Sequence, residues 1–179
     1  MENTIYYSFS TISQTLAAMV ALLGVFTIYR LQNLNNKFID HSQSYLEFLN
    51  RMENEKNVNT GVWFTNRELS RLITSKHYKG ILELMDREYK KWGDVFSELS
   101  GFYKSIIKIT SDKQKSIEKT LSITCTSLII ISASIGMLSM ATKMNNLTFW
   151  VIFSVFLLSI GIVFWQMFQL IKFSLISDL

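Results

Sequence analysis

Three blocks of this chain are apolar at nearly every position, and what lies between them repeats with helical period. Leu121 to Ala141 and Leu147 to Ile171 contain no acid or base, and Met144-Asn145-Asn146 parts them. Each is long enough for a helix to cross the hydrocarbon core, which takes roughly 20 residues. Together they predict a membrane hairpin. A third block, Ile5 to Tyr29, is strongly apolar from Ala17 onward, but its first half holds Ser8, Ser10, Thr11, Ser13, Gln14 and Thr15. Tyr6, Tyr7 and Phe9 at one end, and Tyr29 with Arg30 at the other, suit the interfacial ends of a span. Trp150 and Trp165 do the same for the last block.

Between the spans the pattern is amphipathic and helical. Leu31, Leu34, Phe38, His41, Tyr45, Phe48 and Met52 alternate steps of three and four, a coiled-coil-like seam over residues 31–52 that extends the first span. Glu53 to Gly61 is polar and asparagine-rich and predicts a loop. Thr65 with Glu68 three residues on matches a capping box for a short helix ending near Ser75. Ile81, Leu84, Met85, Tyr89 and Trp92 predict a second helix closing near Gly93, and Val95 to Ile107 a third. A further stretch from about Asp112 should run into the second span. No strand alternation is present. The expected fold is an all-α integral membrane protein with three transmembrane helices: residues 1–30, a helical domain at 31–120, and a hairpin with a short tail at 121–179.

Charge sets the expected direction. All but two of the 18 bases and all but two of the 14 acids lie between Arg30 and Thr120. Arg30 and Lys37 follow the first span, and Lys104, Lys108, Lys113, Lys115 and Lys119 precede the second; only Lys143 stands in the hairpin turn. The positive-inside rule then places the middle domain and carboxyl terminus in the cytoplasm, with the amino terminus and hairpin outside. The amino terminus lacks the basic region of a cleaved signal and reads as a retained span of a multi-pass cell-membrane protein. A net charge of +4 is too small and too mixed to argue for nucleic acid. Lys113, Lys115 and Lys119 are the expected contacts to anionic lipid heads.

The first span is too polar to face lipid alone. Ser10, Gln14, Ala17, Ala21, Gly24 and Ile28 form one small, partly polar stripe. Such a stripe either packs helices closely or lines a wet pore formed by several copies. Both readings place the first span inside a homo-oligomer. The second span repeats the theme with Ser132, Gly136 and Ser139, and with Thr120, Thr124, Ser127 and Ser134 nearby. Gln166 and Gln169 sit near the inner end of the third span, where water, lipid heads or a neighbouring helix would solvate them.

The chemistry of catalysis is not visible. His41 and His77 are the only histidines, and Cys125 is the only cysteine, inside an apolar block where it reads as a small packing residue. His41 reads as a packing residue that fixes register, with a pH-sensitive switch as the sharper alternative. These are too few ligands at metal-binding spacings, and scattered glycines make no phosphate-cradling loop. Pairs such as Glu83 with Asp86, or Glu53 with Glu55, read as solvated surface. No enzyme, metal or cofactor is expected. One cluster, Arg67, Arg71, Lys76, His77 and Lys79 around Tyr78, reads either as a solvated face or as a grip on an anionic ligand or acidic partner.

The absence of charge at mid-span argues against a voltage sensor or a carboxylate proton relay. No inverted repeat suggests a secondary transporter. The expectation is a homo-oligomeric channel or pore-forming effector gated by its helical domain. Its layout is one associated with bacterial stress or phage-response effectors. The alternative is a non-conducting anchor or sensor that recruits a soluble partner.

Overall fold

The computed structural model describes residues 2–56, 62–92, 97–140 and 145–178. They form five helices and, among the described residues, no strand: α1 (Glu2–Lys56), α2 (Val62–Thr74), α3 (Tyr78–Trp92), α4 (Ser97–Leu138) and α5 (Asn146–Asp178). α1, α4 and α5 are each long and apolar enough to cross a membrane. The chain has no proline to interrupt them. The parts of the expected loop at 57–61, of the helix end near Gly93, and of the hairpin turn at Lys143-Met144 lie outside the described residues. So do Val95 and Phe96.

Local chemistry explains the helix ends. α2 closes with a left-handed residue, Lys76 at φ 52°. The amide of His77 donates to the Leu72 carbonyl at 2.9 Å and that of Lys76 to Ile73 at 3.0 Å, the paired bonds of a Schellman cap. His77 then opens α3, its Nδ1 accepting from the amide of Gly80 at 3.0 Å. A Cβ on Gly80 would meet the His77 ring and come within 2.9 Å of Leu72 Cδ2. At the start of α5, Asn145 Oδ1 accepts from the amide of Thr148 at 2.9 Å.

Three expectations for the helices fail. Glu53 to Lys56, expected as the start of a loop, belong to α1. Thr65 caps nothing, because α2 is already helical from Val62. Its hydroxyl donates to Glu88 at 3.3 Å, and Glu68 pairs with Arg87 at 3.1 Å, so both capping groups are taken by α3. The expected break near Asp112 is also absent, since α4 runs unbroken from Ser97. Thr110 lies inside it, its hydroxyl donating to the carbonyl of Ile106 at 2.9 Å.

The chain divides into two compact units, one of residues 1–30 with 114–179 and one of residues 31–113. In the first, α1 buries Ile5, Phe9, Ile12, Leu16, Met19 and Leu23 in steps of four and three. α5 meets this stripe with Phe149, Phe156, Val163 and Leu170, spaced at whole heptads. α4 contributes small residues, Ser127 and Ser134, beside Ile123, which lets the backbones approach. Ser134 Oγ donates to the carbonyl of Phe9 at 2.8 Å. The Phe9 ring stands edge-on to Phe156 at 5.4 Å and to Phe149 at 6.2 Å. Outward, the unit shows Leu22, Val25, Ile129, Leu158 and Trp165, all exposed. That is the reverse of a water-soluble surface pattern.

In the second unit, Phe38, Tyr45 and Leu49 of α1 pack with Leu69, Ile73, Ile81, Leu84, Met85, Leu99 and Ile106. The buried line on α1 shifts from the heptad positions His41 and Phe48, both half-buried, to Ser42 and Leu49. A straight helix of 3.6 residues per turn drifts in this way across a strict seven-residue pattern. The side chain of Met52 lies outside what is described.

Candidate functional site

The amino-terminal half of α1 presents three faces. One is the buried stripe from Ile5 to Leu23. The stripe of Ser10, Gln14, Ala17, Ala21 and Gly24 lies on another: Gln14, Ala17 and Ala21 are exposed, and Ser10 and Gly24 half-buried. It takes no part in the unit's own core. Gln14 Nε2 lies 3.4 Å from Ser10 Oγ, and this is the only hydrogen bond of the Gln14 amide among the described residues. An amide with so few partners is costly in hydrocarbon.

The third face carries Thr4, Ser8, Thr11 and Thr15, which line one wall of a groove of about 510 Å³; Phe153, Leu157 and Ile160 of α5 line the other. Ser8 donates to the carbonyl of Thr4 at 2.8 Å. The hydroxyls of Thr11 and Thr15 have no partner among the described residues. The groove and the Gln14 stripe lie about a third of a turn apart on the helix.

Four serines elsewhere in this unit are satisfied within their own helices. Ser127 bonds to Ile123, Ser154 to Trp150, Ser159 to Val155 and Ser174 to Leu170, each donating one turn back. Of the small residues toward the carboxyl end of α4, Ser127 and Ser134 pack inside the unit, whereas Ser132, Gly136 and Ser139 are exposed. Cys125 is exposed as well and is not a packing residue within the unit, in contrast to the expectation from its apolar surroundings.

A polar layer closes the end of this unit near Arg30. Thr27 and Thr120 share a hydroxyl hydrogen bond of 3.0 Å. Arg30, buried rather than splayed at an interface, donates from Nε to Ser116 Oγ at 2.8 Å. The Phe173 ring lies 5.1 Å from the Arg30 guanidinium and 4.3 Å from the Lys119 ammonium. The three lysines expected to meet lipid heads are thus in different settings. Lys119 lies over Phe173, Lys115 is exposed, and Lys113 belongs to the unit of residues 31–113.

In that second unit the cluster around Tyr78 is spread out. Arg67 and Arg71 are exposed one turn apart on α2, and Lys76 is committed to the helix cap. His77 caps α3, and Lys79 reaches Glu83 at 3.8 Å in a solvent-exposed pair. Such a pair holds its geometry weakly. Asp86 is more than solvated surface: Lys90 donates to it at 2.6 Å and the Tyr103 hydroxyl at 2.8 Å. These bonds hold its carboxyl below the usual value of 3.8. Sequence reading missed this α3–α4 tie because only the fold brings Tyr103 to Asp86. Tyr45 is buried, with no partner for its hydroxyl among the described residues. That burial, with the Glu88 charge behind it, pushes its phenol well above the ordinary 10.0.

Among the described residues no group of three or more metal-ligating side chains converges. Comparison with protein families, with curated proteins and with solved structures finds no match to this chain.

Proposed function

We propose that this chain is a homo-oligomeric membrane protein whose first helix lies among copies of itself, and that the assembly is a channel or pore-forming effector governed by the cytoplasmic domain of residues 31–113. The observation that carries this reading is the placement of Gln14. It stands on an exposed face of an apolar helix, with one long hydrogen bond to Ser10 and no other partner among the described residues. In a lone protomer that amide would meet acyl chains; in a ring it meets water or a neighbour's polar groups.

The two polar faces of α1 support a ring in particular. A face of small residues on one copy fits against the threonine-lined groove of the next. Contacts between two different patches are heterologous, and they generate closed rings when the rotation closes. The basic residues at 30–37 and 104–119 support a cytoplasmic middle, with the amino terminus outside.

A second reading has its own support. Ser127, Ser154 and Ser159 of the spans are satisfied by carbonyls one turn back, as in dry helix packing. A non-conducting anchor that recruits a soluble partner would need nothing more. Current recording on the purified chain in planar bilayers separates the two. Currents in the wild type that Gln14→Leu abolishes support the pore. A wild type that assembles yet stays silent across voltage and pH supports the anchor.

A further inference from the structure

The unit of residues 31–113 contains a pocket of about 230 Å³ with a chemical asymmetry. Leu34, Phe38, Leu82 and Ile109 make most of its wall apolar. Lys113 also lines it, half-buried, with its ammonium 2.9 Å from Asn35 Oδ1 and 5.0 Å from the centre of the Tyr78 ring. Both partners are neutral. No carboxylate pairs with Lys113 among the described residues. An ammonium set against an apolar wall with only an amide oxygen and a ring for company retains a strong demand for an anion.

The second donor is on the same wall. With Asn35 Oδ1 turned to Lys113, its amide nitrogen has no partner among the described residues and can donate to the same guest. Lys79 lines the pocket too, and its solvent-exposed pair with Glu83 at 3.8 Å is weak enough to yield. Ligand pockets range over about 300–1,000 Å³, so this one suits a small guest. The aromatic floor is fixed by Phe38 and Tyr78, packed edge to face at 5.5 Å.

We propose that this pocket binds an amphipathic organic anion, its acid head held by Lys113 and Asn35 and its short tail lying along Phe38, Leu82 and Ile109. The head is a carboxylate or a phosphate, since both accept from an ammonium and an amide together. The guest arrives either as a free acid or as a lipid head. The site does not depend on whether the assembly conducts, because its occupancy is read directly.

The test is calorimetric titration of the full chain in nanodiscs of zwitterionic lipid, with empty discs subtracted. Octanoate and octyl phosphate should bind, and octanol and acetate should bind at least about tenfold more weakly. Lys113→Gln should weaken octanoate by about tenfold or more and leave octanol unchanged. Repeating the octanoate titration in discs containing phosphatidylglycerol separates the sources: competition identifies a lipid head, and unchanged affinity a free acid. Equal octanoate binding by wild type and Lys113→Gln would overturn the proposal, as would octanol binding as tightly as octanoate. Should Lys113→Gln lose helix content, Leu82→Phe decides the matter, since it fills the tail end and keeps the ammonium. Unchanged octanoate affinity in that variant would also overturn it.

Discussion

Ser134 Oγ donates to the backbone carbonyl of Phe9 across 2.8 Å, joining α4 to α1 at the point where the Phe9 ring wedges against Phe149 and Phe156. Both residues are fully buried. The bond needs a side chain as short as serine, because only then do the two backbones come close enough. Ser134→Ala keeps the shape and loses the bond, and should cost about 0.6 kcal/mol, the mean for such bonds between membrane helices. Ser134→Leu should cost more, about 1–3 kcal/mol, by forcing the helices apart. Thermal unfolding in detergent would rank the pair, and a leucine variant as stable as wild type would show that the helices do not touch here.

Tyr45 makes an opposite prediction. Its hydroxyl is buried and has no partner among the described residues. Tyr45→Phe should therefore stabilise the second unit by about 1 kcal/mol at neutral pH. Burial raises the phenol's value in the folded chain above the 10.0 of an ordinary tyrosine. Its contribution is whole below pH 10.0 and is lost as pH rises toward the folded value. The advantage of the phenylalanine variant should widen there. Denaturant titrations at neutral and alkaline pH measure both effects; a less stable variant at neutral pH would mean that the hydroxyl is bonded after all.

At acid pH the sensitive group is Asp86. Hydrogen bonds from Lys90 and then Tyr103 hold its folded value below 3.8. The stability this gives is present above pH 3.8 and disappears as pH falls through the lower folded value. Asp86→Asn should lose stability at neutral pH and show a shallower decline on acidification. Acid titration followed by circular dichroism would reveal it. An unaltered acid limb would assign that decline to other carboxylates.

Lys76 occupies a left-handed backbone position at φ 52°. A side chain there costs about 1 kcal/mol, which glycine avoids. Lys76→Gly should stabilise the α2–α3 turn by about that amount, read from the unfolding midpoint. If Lys76 instead grips an anion, the variant should lose that binding along with gaining stability.

The all-α fold and the three long apolar helices were legible in the sequence because span length and helical period are intrinsic to each segment. Helix ends were less so. Thr65 and Glu68 have the spacing of a cap, yet Glu88 and Arg87 claim them, and that competition exists only once α2 and α3 meet. A new helical stretch was expected from about Asp112, yet α4 is unbroken there and Thr110 bonds backward to Ile106. The small-residue face of α4 was expected at Ser132, Gly136 and Ser139, which the structure leaves exposed. Only the position of Phe9 decides that Ser127 and Ser134 are buried, with Ser132 outside. The pocket at Lys113 was invisible for the same reason, since Asn35, Tyr78 and Lys113 come from three different helices. The polarity of Ser10 and Gln14, by contrast, could be read directly, because it conflicts with an otherwise apolar span.

The central claim is that the Gln14 face of α1 is covered by another copy of the chain, and oxidative cross-linking in native membranes tests it most directly. With Cys125 replaced by serine, co-expressed Gln14→Cys and Thr15→Cys chains should give a mixed disulfide-linked dimer in high yield, because the Gln14 face of one copy meets the groove of the next. Gln14→Cys with Ile129→Cys on the outward face of α4 should give little. Monomer alone from the Gln14 and Thr15 pair, with efficient dimer formation from the Ile129 pair, would contradict the account.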